Sequence, residues 1–198
     1  MTKGLDTRDR ILDTAFRLAA RDGLEGLSLS ALAGETGLSK SGLFAHFRSK
    51  EDLQLQMLQV ASDRFVAKVM SPAFQERRGL PRLDSLFDRW MRWASDPDSP
   101  GGCIFVAAAS ELDDQEGRVR DFVVAQERRL LEAIARAASV AVQAGHFRRD
   151  LDVDQFAFDL LGIYLAFHLA RRLLRDPRAE KRARRAYARL TESARAAI

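Results

Sequence analysis

Residues 28–50, SLSALAGETGLSKSGLFAHFRSK, spell two short helices joined by a tight turn, the second ending in a basic, aromatic, histidine-bearing cluster. A helix starting after Ser28 carries Leu29, Leu32 and Ala33 on a core-facing side, and Gly37 supplies the left-handed residue that stops it. Leu38 must then be buried, and Ser39 can accept a hydrogen bond from a backbone N–H that opens the next helix. That second helix buries Leu43 and Phe47 and leaves Lys40, Ser41, Phe44, Ala45 and His46 facing outward. The small residues Ser41 and Gly42 let its backbone approach a ligand surface closely. Ser49, with Asp52 three residues on, reads as a further helix start that places Lys50 beside free backbone N–H groups, a corner suited to a phosphate.

Between Lys40 and Lys50 there are three cations and no acid, and Phe44 and His46 are poor choices for a helix that meets only water. A basic surface with small and aromatic groups on one short helix suits the major groove of a duplex.

At these residues the chain resembles the TetR family of transcriptional regulators. The resemblance runs through Arg10-Ile-Leu-Asp-Thr-Ala-Phe16, Gly23, the Ser28 to Ala33 helix, Gly37-Leu-Ser-Lys-Ser-Gly-Leu-Phe44 and His46-Phe-Arg-Ser-Lys-Glu51, about the first quarter of the chain. It implies a dimer whose recognition helices enter adjacent major grooves, followed by a C-terminal domain that senses a small molecule. The family's DNA contacts carry over onto Ser28, Ser39, Lys40, Ser41, Gly42, Phe44, Ala45 and His46, and Lys50 matches its phosphate-binding lysine. Two positions depart from the pattern. Phe44 stands where tyrosine is usual and has no hydroxyl to reach a phosphate, so its ring is left to pack on sugar or a thymine methyl. Ala45 replaces larger residues, which thins direct base readout and shifts sequence preference toward DNA shape.

Charge is distributed unevenly. The chain is +4 overall, yet residues 1–52 hold eight cations against eight acids, whereas residues 171–198 hold ten against three. The arginine-rich end reads as a solvated helix face beside a dimer seam rather than as a nucleic-acid site. The 198 residues, 46% hydrophobic and with five prolines, are sufficient for helical domains with a real core. One cysteine excludes a disulfide framework within the chain, the charged N-terminus lacks a signal peptide's apolar stretch, and the best membrane candidate, 156–174, is interrupted by Asp159, His168, Arg171 and Arg172. A reducing cytoplasm is the expected compartment.

The periodicity is helical throughout, so the expected fold is all-α with about nine helices. Residues 1–52 form a three-helix DNA-binding domain, its helix-turn-helix at about 29–48, and residues 53–198 a ligand-binding and dimerisation domain. The first helix starts at Asp6 or Thr7, buries Ile11, Leu12, Ala15, Phe16 and Ala19, and ends at Gly23. The helix after Ser49 continues to about Ser71-Pro72 and links the DNA head to the body. Later helices are expected at about 81–95, 102–112, 117–145, 152–175 and 178–196, with a loop at 96–102.

The helix at 152–175 is apolar on two sides. Phe156, Leu160, Tyr164 and Phe167 form one stripe, Phe158, Gly162, Leu165 and Leu169 the other. The second stripe, joined by Ala183, Ala186, Tyr187 and Leu190 of the last helix, is expected to form a four-helix interface with a symmetry mate. Phe65, Trp90, Trp93, Phe105, Phe122, Tyr164 and His168 are candidates to line an effector pocket, a composition that a core shares. Cys103 has no activating neighbour in sequence and reads as core. The histidines are too scattered for a metal site, and Glu111, Asp113, Asp114 and Glu116 read as a solvated helix end. With no phosphate loop, metal-ligand spacing or nucleophile motif, neither enzymatic activity nor a cofactor is expected beyond an unidentified small-molecule effector. The expected partners are therefore a palindromic operator, a second copy of the chain and an inducer. The alternative from another class is a helical protein-interaction or lipid-binding module whose head no longer grips DNA.

Overall fold

In the computed structural model, residues 2–96 and 102–196 are described, with side chains from Thr7 onward, so most of the expected loop at 96–102 lies outside the described residues. The helices are α1 (Thr2–Gly26), α2 (Leu29–Thr36), α3 (Lys40–Phe44), α4 (Lys50–Phe65), α5 (Ser71–Gln75), α6 (Leu80–Trp93), α7 (Ile104–Leu112), α8 (Arg118–Gln143), α9 (Val153–Arg172) and α10 (Ala179–Ala194). Among the described residues the fold is all-α, with a single antiparallel bridge between Phe147 and Arg195.

The nine expected helices are present, and α5 is additional. The chain does not stop near Ser71-Pro72: it passes through a π-helical turn, Val66–Met70, and resumes as α-helix. Pro72 sits in the first turn of α5, where a missing N–H costs no hydrogen bond. Helix α1 begins at Thr2, earlier than expected. It is interrupted at Gly23 (φ 84°, ψ 168°), a backbone region essentially reserved for glycine.

The chain forms two compact units, residues 1–65 with 95–126 and residues 66–94 with 127–198. They divide it elsewhere than after residue 52, since α4, α7 and the first residues of α8 group with the N-terminal helices. In the first unit the α1 stripe of Ile11, Leu12, Ala15, Phe16 and Ala19 is buried against α2, α4 and α7. Leu32, Leu43, Phe47, Leu53, Met57, Ile104 and Ala108 complete the core, each large side chain contributing roughly 1.5–3 kcal/mol through burial. Arg64 closes one side, pairing with Asp13 while its guanidinium lies 5.2 Å from the centre of the Phe16 ring. Ser62 Oγ donates to Gln126 Oε1 at 3.0 Å, fastening α4 to the start of α8.

The second unit is built on aromatic pairs. Trp90 of α6 stacks on Tyr164 of α9 with centroids 4.0 Å apart, and Phe87 of α6 stacks on Tyr187 of α10 at 4.1 Å. Phe147 packs on Phe156, and α10 runs along α9. The α9 stripe Phe156, Leu160, Tyr164 and Phe167 is buried here. By length and mean hydropathy (1.2) α9 is capable of crossing a membrane, but in this fold its buried side is the core of the unit.

Candidate nucleic-acid interface

The local chemistry of residues 28–50 builds the helix-turn-helix as its sequence suggests. Ser28 caps α2, its Oγ accepting the Ala31 N–H at 3.0 Å. Gly37 ends α2 in the left-handed region (φ 69°, ψ 18°), and the Leu38 N–H reaches back to the Ala33 carbonyl at 3.2 Å. Ser39 then caps α3, accepting the Gly42 N–H at 3.0 Å. Leu43 and Phe47 turn into the core, and the His46 and Phe47 N–H groups both reach the Leu43 carbonyl, so the helical turn extends beyond Phe44. Leu38 is half-buried rather than enclosed.

The residues left outside are small, basic and aromatic. Ser39, Lys40, Ser41, Phe44 and Ala45 are exposed, Phe44 at 52% of its surface, and His46 is half-buried. Gly42 is half-buried as well, and a Cβ there would lie 3.3 Å from Ser39 Oγ. A side chain there would crowd the Ser39 hydroxyl that caps α3, so its smallness also suits the N-cap. Ser39 Oγ also lies 2.9 Å from Ser41 Oγ, so the two hydroxyls are hydrogen-bonded to each other.

The corner after α3 differs from the expected one. Two of its N–H groups are taken: Arg48 N–H donates to Asp52 Oδ2 at 3.0 Å and Asp52 N–H to Ser49 Oγ at 3.1 Å, because Asp52 folds back over the start of α4. The Arg48 N–H, followed by the Gln56 amide, holds the Asp52 carboxyl below the ordinary carboxylate range. Arg8 continues the chain, donating to Gln56 Oε1 at 2.6 Å, so α1, α4 and the end of the recognition segment share one polar network. Lys50 is exposed and donates through Nζ to the Glu25 carbonyl at 3.1 Å. A phosphate at this corner would be met by the Lys50 ammonium on the turn that follows α1.

That turn is held from a second side, by residues the sequence reading missed. Glu111 at the end of α7, expected to be merely solvated, accepts the Leu24 N–H at 3.1 Å and the Glu25 N–H at 2.9 Å. A Cβ at Gly23 would come within 2.5 Å of Glu111 Oε1. Gln54 Nε2 donates to the Leu24 carbonyl at 3.1 Å, and Gln115 Nε2 to the Glu111 carbonyl at 2.8 Å. Gly23, followed by an acidic helix end far along the chain, was the only signal, and nothing local joins the two.

The other expected sites lie in or across the two units. Phe158, Leu165 and Leu169 on α9 are exposed, and Phe158 and Gly162 with Ala186, Leu190 and the buried Ala183 of α10 line an apolar groove of about 630 Å³. Leu173 and Leu174 extend the exposed apolar surface past the end of α9. Tyr187 does not belong to it. Its ring is stacked on Phe87, its hydroxyl donates to Asp84 Oδ1 at 2.9 Å, and burial followed by the nearby Asp84 charge pushes its pKa far up, so it is core within its own chain. Of the seven pocket candidates, Phe65, Phe105 and Phe122 fall in the first unit and Trp90, Trp93, Tyr164 and His168 in the second. Trp90 and Tyr164 stack on each other with the His168 ring 6.3 Å from that of Tyr164, and Trp93 is buried three residues after Trp90 on α6. Cys103 is buried at the start of α7. Among the described residues no three His, Cys, Asp or Glu side chains are placed to hold a metal ion.

Comparison with known proteins agrees with this geometry. Residues 11–57 match the profile described as bacterial regulatory proteins, tetR family, and residues 79–187 match the profile described as tetracyclin repressor-like, C-terminal domain. The HTH-type transcriptional repressor ComR of Escherichia coli (strain K12) is 31% identical over 113 residues, 57% of this chain and 54% of ComR. The uncharacterized HTH-type regulator YerO of Bacillus subtilis (strain 168) is 38% identical over 50 residues, 25% of this chain and 17% of YerO. The chain thus aligns with about half or less of these relatives' lengths. Among solved structures, a TetR transcriptional regulator from Chloroflexus aurantiacus J-10-FL superposes over all of both chains with a TM-score of 0.85 at 26% identity. AibR, solved in complex with isovaleryl coenzyme A and operator DNA, superposes with a TM-score of 0.70 at 26% identity over 82% of this chain and 85% of AibR.

Proposed function

The chain belongs to the TetR family of DNA-binding transcriptional regulators, and from that premise we propose that it is a homodimeric repressor released from a palindromic operator by a small molecule. The observation that carries the reading is the capped α2–turn–α3 unit with Lys40, Ser41, Phe44 and Ala45 exposed along one short helix. Two copies joined through the α9/α10 face would hold two such helices about one DNA turn apart, ~34 Å. Direct base contacts fall to α3, phosphate contacts to Lys50 and the Ser28 end of α2, as in the family pattern.

The effector is assigned to the second unit, around Trp90, Trp93, Tyr164 and His168, where large apolar surface meets a few polar tips. That AibR was crystallised with both isovaleryl coenzyme A and operator DNA supports a small-molecule effector for a chain of this architecture. The inducer is a small organic molecule, no cofactor is required, and the protein works in the cytoplasm. Coupling of ~1–3 kcal/mol between effector and operator suffices to change occupancy severalfold or more.

A fluorescence anisotropy titration of the purified chain against the duplex upstream of its own gene, at stated salt, tests the reading. Saturable binding that outcompetes random duplex supports it. Equal, weak affinity for both duplexes would instead indicate a helical module whose head no longer grips DNA.

A further inference from the structure

Phe44 is a large aromatic side chain with half of its surface exposed, and its neighbour Ala45 is exposed too. Together they form a small apolar step on the outer side of α3. Lys40, also exposed, lies four residues before Phe44 on the same face of the helix, and no acid occurs from 40 to 50. The charge around the step therefore suits a polyanion, while the step itself offers no hydrogen bond. Two hydroxyls earlier in the segment are partly consumed: Ser39 Oγ takes the Gly42 N–H and is hydrogen-bonded to Ser41 Oγ.

The edges of base pairs in the major groove carry donors and acceptors with one apolar exception, the C5-methyl of thymine. A phenyl ring cannot donate to a phosphate, which leaves the sugar and the thymine methyl as its partners, and only contact with the methyl would make binding depend on the base. Building on the DNA-binding reading above, we propose that Phe44, with Ala45 beside it, reads a thymine methyl group directly in each operator half-site. Specificity at that base pair then comes from apolar contact with the methyl, not from DNA shape. The two mechanisms separate experimentally, because removing one methyl leaves the hydrogen-bonding pattern of the base pair intact.

The test uses the full-length chain and a duplex it selects from a pool with a randomised core. The selected duplex is resynthesised with deoxyuridine in place of thymine, one position at a time, in the half-sites and separately in the spacer and flanks. The enriched sequences should carry thymine at a fixed, symmetry-related position. Loss of that methyl should weaken binding about fourfold per half-site, the equivalent of roughly 0.8 kcal/mol for one buried methyl, with no change from the spacer or flanks. Phe44→Ala should bind the thymine and deoxyuridine duplexes equally. If wild type binds both duplexes alike, if the selected half-sites lack a fixed thymine, or if Phe44→Ala keeps the preference for the methyl, the assignment to Phe44 is wrong while DNA binding stands. A pool from which nothing is enriched would instead remove the DNA-binding reading, and this proposal with it.

Discussion

The Glu111 carboxylate holds the backbone of Leu24, accepting its N–H at 3.1 Å with one oxygen while the other accepts that of Glu25 at 2.9 Å. Within the first unit this joins the end of α7 to the turn after α1, and Lys50 Nζ grips the Glu25 carbonyl of the same turn. One short turn is thus shared between α7 and the corner proposed to meet a phosphate.

Glu111→Ala removes the acceptor of two N–H groups, that of Leu24 partly buried and that of Glu25 open to water, and should cost about 0.5–1.5 kcal/mol of stability, whereas Glu111→Gln should cost less, since it keeps an acceptor without the charge. Gly23→Ala should also destabilise, through its φ of 84° and through the approach to Glu111. In a double-mutant cycle by chemical denaturation the two costs should fall short of additive, because Glu111→Ala relieves the clash and leaves only the backbone strain. Strict additivity would mean that the carboxylate does not press on Gly23.

Lys50→Ala should weaken binding to specific and random duplex alike and lower the salt slope by about one. His46→Ala should change discrimination between operator and random duplex more than Lys50→Ala does. Salt-dependent anisotropy measures both. A Lys50 variant that altered preference among operators would contradict its assignment to a phosphate.

On the apolar face of the second unit, Phe158→Glu or Leu169→Glu places a charge where a partner helix is proposed to pack, and sedimentation should show a shift from dimer to monomer. Tyr187→Phe should leave the dimer intact and lower stability by about 1 kcal/mol, because its lost partner, Asp84, lies in the same chain. Dissociation caused by Tyr187→Phe alone would return that residue to the interface.

Burial, followed by the nearby Arg172 charge, holds the His168 pKa below its ordinary 6.5. The unfolded chain therefore binds more protons between those two values. The contribution of His168 is complete above about pH 6.5 and is lost as pH falls from there through the folded value. Thermal melts from about pH 7.5 to 5.5 should show stability falling, and His168→Gln should flatten that part of the profile. Burial raises the carboxyls of Asp84 and Glu127, giving the opposite slope nearer the carboxylate range, and both remain in the variant. An identical profile for wild type and His168→Gln would show that the imidazole is not desolvated.

What could be read in the sequence was local. Leu43 and Phe47 facing inward, Ser39 as a cap and Gly37 as a stop all follow from spacings of a few residues, and each is realised. The two stripes of α9 were legible for the same reason: a helical period fixes which residues share a side, and Phe156 is buried while Phe158 is exposed. The missed features join distant positions. Glu111 lies 87 residues from Leu24, and Lys50 lies 25 from Glu25, so their partners depend on how helices pack. Tyr187 was misread because it shares one narrow stripe of α10 with Ala183, Ala186 and Leu190, and only the Phe87 stack and the Asp84 acceptor decide which part of that stripe turns inward. The π-helical turn at Val66–Met70 left no mark in a pattern read at 3.6 residues per turn.

The decisive measurement is the stoichiometry and salt dependence of the full chain on a selected palindromic duplex, followed by anisotropy and sedimentation together. Chains should bind in pairs, with log affinity falling linearly against log salt and with Lys40→Ala and Lys50→Ala each making that slope shallower. Single chains indifferent to the duplex at modest ionic strength, or duplex binding that neither lysine affects, would contradict the assignment of the Ser39 to Lys50 surface to DNA.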